Sequence, residues 1–116
     1  MALSIPQETY EKVTLSADND TAIFEGKIDS ANPDVFLTPF FDKIMEQMGE
    51  QVKFDVTRLF FLNSSGIKCI VRFIVNKNPD AKVIFITDKE KTWQRTSLSI
   101  IQTLDKKNIS IEDFEE

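Results

Sequence analysis

The stretch Val52–Ile67, VKFDVTRLFFLNSSGI, decides the fold. Val52, Phe54 and Val56 alternate with Lys53, Asp55 and Thr57, the period-two pattern of a strand with one buried face. Leu59-Phe60-Phe61-Leu62 continues as an unbroken apolar run, which reads as a strand buried on both faces or as its approach to a buried helix. Ile67, Ile70, Val71 and Ile74 then recur at helical spacing, until Asn76-Lys77-Asn78-Pro79-Asp80 breaks the pattern. A buried strand that passes through a short polar Asn-Ser-Ser-Gly segment into an amphipathic helix is the repeating unit of an α/β domain.

Working outward, the same two periods recur. Val13, Leu15 and Ala17 alternate with Thr14 and Ser16, Asp18-Asn19-Asp20 supplies turn chemistry, and Thr21 to Lys27 resumes as a strand ending at Gly26. The Asp-Asn-Asp triplet lacks the central glycine and distal glutamate of a calcium loop, so it is read as a hairpin turn. Asn32-Pro33 and Thr38-Pro39 each resemble a cap followed by a first-turn proline. Leu37, Phe41, Ile44, Met45 and Met48 share one helical face and Gly49 stops the run, which predicts a helix from about Pro39 to Met48 with a separate turn before it. Downstream, Val83–Ile86 is a fully apolar strand, while Trp93, Ser97, Ile100, Ile101 and Leu104 mark a third helix. Ile109 and Ile111 suggest a last short strand. The order β-β-α-β-α-β-α-β predicts a single α/β domain, a mixed and mostly parallel sheet with helices packed on it. Residues 1–11 are expected to be an N-terminal extension, and 112–116 an acidic tail that frays after Ile111.

Composition narrows the chemistry. A length of 116 residues fits one domain that buries roughly two-thirds of its unfolded surface. The absence of histidine removes Ser-His-Asp and Cys-His relays, along with the commonest nitrogen ligand of zinc. Cys69, the one cysteine, can make neither an internal disulfide nor a CxxC pair, and at a helix position among isoleucines it reads as a small core residue. Gly26, Gly49 and Gly66 lie too far apart for a glycine-rich phosphate loop. No metal and no cofactor is implied, and an enzyme is not expected. The net charge of −5 argues against nucleic acid or an anionic membrane as partner, although Glu112, Asp113, Glu115 and Glu116 carry four of those charges. MALSIPQETYEK is no signal peptide by pattern, and no apolar run reaches the ~18 to 20 residues of a membrane span. A soluble, cytoplasmic protein is the expectation.

The candidate site is Asn63-Ser64-Ser65-Gly66, at the hand-over from strand to helix. Two hydroxyls beside unpaired helix-end N–H groups suit a phosphate, either bound or attached to Ser64, with Ser65 as second choice. Gly66, with no Cβ, would let a partner approach the backbone. An ordinary N-cap at Asn63 or Ser64 accounts for the same residues. Lys68 and Arg72, one helical turn apart, read either as a contact for an acidic partner or as a solvated helix face.

Val52–Thr57 followed by Phe61-Leu62-Asn63-Ser64-Ser65-Gly66-Ile67 resembles the signature of the STAS domain, named for sulfate transporters and anti-sigma factor antagonists. Phe24-Glu25-Gly26-Lys27-Ile28-Asp29 is similar to that family's Gly-x-hydrophobic-Asp element, and the likeness runs from about Lys12 to Ile111. It implies a bacterial regulatory switch in which a serine/threonine kinase of anti-sigma factor type modifies the motif serine and a phosphatase reverses the step. The unmodified form binds its partner and the modified form is released. Carried over, Ser64 is the phosphoacceptor, with Asn63, Ser65, Gly66 and Asp29 around it at the partner-binding face; Lys68 and Arg72 join that face on the reading of the helix itself. Asn63 stands where antagonists carry aspartate, Lys68 stands where many carry a second glycine, and a glycine usual near the end of the last helix is missing from Gln102–Lys106. A non-covalent nucleotide or anion sensor and a passive scaffold are the alternatives, with a monomer or weak homodimer as the expected assembly.

Overall fold

Alternation along each strand builds a sheet with one greasy face. In the computed structural model, which describes residues 2–114, the strands are β1 (Leu3–Tyr10), β2 (Val13–Asn19), β3 (Thr21–Ile28), β4 (Gln51–Leu62), β5 (Lys82–Thr87) and β6 (Ile109–Asp113). The helices are α1 (Asp34–Gln47), α2 (Ser64–Asn76) and α3 (Thr92–Gln102). The six strands lie side by side in chain order. β1 to β3 form an antiparallel meander, and β3 through β6 run parallel. Every parallel connection steps one strand in the same direction, so crossovers of one hand place α1, α2 and α3 on one face.

That face is the core. Leu15, Phe24, Val52, Phe54, Val83 and Phe85 from the sheet meet Leu37, Phe40, Phe41 and Ile44 of α1 and Ile70 and Phe73 of α2. Phe54 sits at its centre, with the rings of Phe24, Phe41, Phe73 and Phe85 at 5.2–5.7 Å between centroids. Edge and offset contacts of this kind add about 0.5–1.5 kcal/mol per pair beyond area burial. Cys69 lies in the same core. The other face of the sheet carries Lys53, Asp55, Thr57, Ile84 and Ile86, which are half-buried.

The predicted fold class stands, with corrections at the ends of elements. Residues 3–10 are not an extension: Leu3 and Ile5 are buried, and β1 pairs with β2 along its length, with one register shift between Ile5 and Glu8. Pro6 falls in that shift, which obscures the alternation in the sequence. The expected β2–β3 hairpin turns at Asn19, which takes a left-handed conformation. Gly26, at a φ of 107°, lets β3 pass so close to Lys12 that a Cβ there would clash with its carbonyl oxygen. α1 begins at Asp34, five residues before the predicted start, because Pro39 is accommodated within the helix rather than starting it. α3 ends at Gln102, and Ile100 and Leu104, two of the residues that mark it in the sequence, are exposed; Gln94, Leu98 and Ile101 are buried. The chain does not fray at Ile111, since β6 continues to Asp113 and the Phe114 N–H donates to Thr87 O at 2.7 Å. Of the acidic tail, Glu115 and Glu116 lie outside the described residues.

Candidate functional site

β4 carries the site, and it changes character halfway. Gln51–Asp55 pairs with β5 on one side, and Lys53–Asp55 with β3 on the other. Beyond Asp55 there is no β5 partner. Against β3, the strand also gains a residue twice: Ile23 to Glu25 spans Asp55 to Arg58, and Gly26 to Lys27 spans Leu59 to Phe61. These bulges turn the alternation into a spacing of three, so that Val56, Leu59 and Leu62 are buried. Phe60 and Phe61, predicted to be buried within an apolar run, are instead 58% and 48% exposed.

Gln94 replaces the missing strand. Fully buried at the start of α3, it donates through Nε2 to Val56 O at 2.6 Å and Leu59 O at 3.0 Å. Its Oε1 accepts from the Asp88 N–H at 2.9 Å. All three side-chain bonds tie the bulged half of β4 to the β5–α3 loop. Lys91 adds to this tie: its ammonium lies 2.7 Å from the Asp88 carboxylate and 4.7 Å from the centre of the Phe60 ring. The Lys91 hydrogen bond holds the Asp88 carboxyl below its ordinary range. Sequence reading passed over Gln94, because a helical glutamine resembles surface filler until its fold neighbours are known.

At the end of β4, Asn63 caps α2. Its Oδ1 accepts from the Gly66 N–H at 2.8 Å, and its own carbonyl accepts from the Ile67 N–H at 3.0 Å. Its Nδ2 donates to Ser30 O at 2.8 Å, while its N–H donates to Ile28 O at 2.9 Å. Asn63 therefore joins the β3–α1 loop to the start of α2. The Nδ2 bond needs a donor, which an ionised aspartate lacks, and this gives asparagine a physical reason at that position.

The remaining predicted residues sort by exposure. Ser64, the first residue of α2, is exposed, and Ser65 is half-buried. The expectation of unpaired helix-end N–H groups gives way at Gly66 and Ile67, since Asn63 accepts from both. Among the described residues, the N–H groups of Ser64 and Ser65 have no protein acceptor. Gly66 is buried, not a bare patch for a partner: a Cβ there would lie 2.6 Å from Leu62 Cδ1 and 2.9 Å from Ile28 Cγ2. It lets the first turn of α2 settle on the ends of β3 and β4. Asp29 lies on the loop that Asn63 pins and pairs with Lys12 at 3.1 Å. Lys68 and Arg72 are exposed along the outer face of α2, below Ser64. Burial pushes the Cys69 thiol up, against the nearby Arg72 charge. Asp55 stands back in the regular half of β4 and accepts from Thr57 N at 3.0 Å and Thr57 Oγ1 at 2.7 Å.

The architecture is a mixed six-stranded sheet with three helices and a polar hand-over from β4 to α2. The fold matches the crystal structure of an anti-sigma factor antagonist from Mycobacterium paratuberculosis, with a TM-score of 0.60 and 14% sequence identity, over 85% of this chain and 79% of that one. No family model matches the sequence, and no curated protein does. Among the described residues no helix is long and apolar enough to cross a membrane.

Proposed function

We propose that this chain is a protein-interaction switch of the anti-sigma factor antagonist type, controlled by phosphorylation of Ser64. The observation that carries the reading is an exposed hydroxyl on the first residue of α2, set on a hand-over segment braced by Asn63, in an antagonist-like fold. The partner is a serine/threonine kinase of anti-sigma factor type, and a phosphatase resets the switch.

In the forward step Ser64 Oγ attacks the γ-phosphorus of ATP and the bond to the β–γ bridging oxygen breaks. ADP leaves, and the hydroxyl proton passes to a base of the kinase. The product places about −1.5 to −2 charges at the surface that had met the partner, which weakens the complex by repulsion and by the cost of desolvating the anion. The domain is the substrate in this scheme; the kinase does the chemistry. Ser64 is preferred over Ser65 because Ser65 is half-buried.

The geometry favours this reading over a non-covalent anion sensor. Two of the helix-end N–H groups are taken by Asn63, and Asp29 is engaged with Lys12. Incubation of the purified chain with candidate switch kinases and ATP, followed by intact mass and phosphopeptide mapping, tests the proposal. One phosphate on the peptide containing Ser64, absent from Ser64→Ala, is the expected result. Modification elsewhere, or none, overturns it.

A further inference from the structure

Ser64 and Lys68 are four residues apart on α2, and both are exposed. At that spacing two side chains stand one above the other, with Cβ atoms about 5–6 Å apart. Lys68 enters no ion pair among the described residues. Its neighbours along the helix are Cys69, buried, and Arg72, exposed one turn on. Charged groups on the adjoining elements include Lys27 at the end of β3, Asp29 paired with Lys12, Asp34, which opens α1 and acts on the Cys69 thiol, and Asp42, which lines the α1–α2 groove with Cys69 and Arg72. The cation stacked on Ser64 along its own helix therefore has its ammonium uncommitted.

We infer that Lys68 is the internal counter-ion of a phosphate on Ser64, so that modification both adds an anion and withdraws a cation from the exposed face of α2. This rests on the reading of Ser64 as phosphoacceptor and specifies how that site is regulated. In the unmodified chain Lys68 is free to meet an acidic group on the partner. In the modified chain its ammonium turns one helical step back to the phosphate, and the partner loses that contact while meeting the new charge. Arg72, two turns from Ser64, is too far along the helix to take the same role.

The test separates this inference from the kinase question. Phosphoserine is installed at position 64 of the full chain by codon reassignment, and the second phosphate ionisation is followed by phosphorus NMR. Lys68→Ala is expected to raise that pKa by about 0.3 unit, the size of an exposed i,i+4 ion pair. Lys68→Arg should keep the value of the parent chain, and Lys27→Ala should leave it unmoved. Equal values for the parent chain and Lys68→Ala, or a shift produced by Lys27→Ala instead, would overturn the inference. A normal Lys68 effect in the installed phosphoprotein, together with no kinase acting on Ser64, would remove the switch reading alone.

Discussion

The two halves of β4 contrast within one strand. Gln51–Asp55 pairs with β5 throughout and with β3 from Lys53, and it alternates cleanly, with Val52 and Phe54 in the core. Val56–Leu62 has lost β5, bulges twice against β3, and shows two phenylalanine rings to solvent. The regular half is held by the generic forces of a sheet, whose ladder bonds and apolar burial any compatible residues can supply. The irregular half is held by particular side chains: Gln94 for the open carbonyls, Lys91 against Phe60, and Asn63 at the exit. Such a segment can present an unusual surface, at the cost of depending on single residues.

Substitutions can break that contrast or sharpen it. Phe54→Ala, in the regular half, should cost the most, about 3–5 kcal/mol, because four rings lose their shared neighbour; denaturant unfolding measures it. Gln94→Leu should cost about 2–3 kcal/mol by leaving Val56 O, Leu59 O and the Asp88 N–H without their bonds. Hydrogen exchange should then quicken in residues 56–62 well before 51–55, and a uniform response would erase the distinction between the halves. Asn63→Asp should lose about 1 kcal/mol, since the cap on Gly66 survives while the bond to Ser30 is lost; thermal unfolding is the readout.

Acid offers a subtler probe. The Asp88 carboxyl is held below its ordinary range by Lys91, that of Asp105 by Lys77, and that of Asp113 by the Thr87 hydroxyl and then Arg95. Each therefore contributes stability that is complete above the unfolded carboxyl pKa of about 3.9 and lost as pH falls through the lower folded value. Melting temperature measured from pH 6 to pH 2 should fall chiefly below about pH 4, and less steeply in Asp105→Asn. The smallest effect is expected for Phe60→Ser, under about 1 kcal/mol in denaturant, because that ring is already largely in water and loses only its exposed contact with Lys91. A loss as large as that of Phe54→Ala would show that the exposed ring is structural after all.

Much of the fold was legible because hydrophobic period is a local property. The alternation in Val13–Ala17 and Val52–Val56, the helical spacing of Ile67–Ile74 and the polar hand-over between Leu62 and Ile67 each announced an element and its order. The site was legible as a set of residue types: an Asn cap, two hydroxyls and a glycine at a strand-to-helix junction. Reading failed where a residue's role depends on a distant part of the chain. Pro6 hid β1, whose place is decided by pairing with β2. The Phe60-Phe61 run looked buried because nothing local records that β5 has ended and β4 has slipped register. Gly66 looked like an open approach until Ile28, thirty-eight positions earlier, closed over it.

Turns, caps and amphipathic periods are written within a few residues, so the local pattern announced the elements from β2 onward and the serine-bearing junction between β4 and α2. Which of Ser64, Ser65 and Gly66 faces water, why position 63 needs a donor, and what holds a strand that has lost its neighbour are set by packing between distant parts of the chain. Those answers come from groups as far apart as Ser30 and Asn63 or Val56 and Gln94, whose hydrogen bonds exist only once the sheet has brought them together.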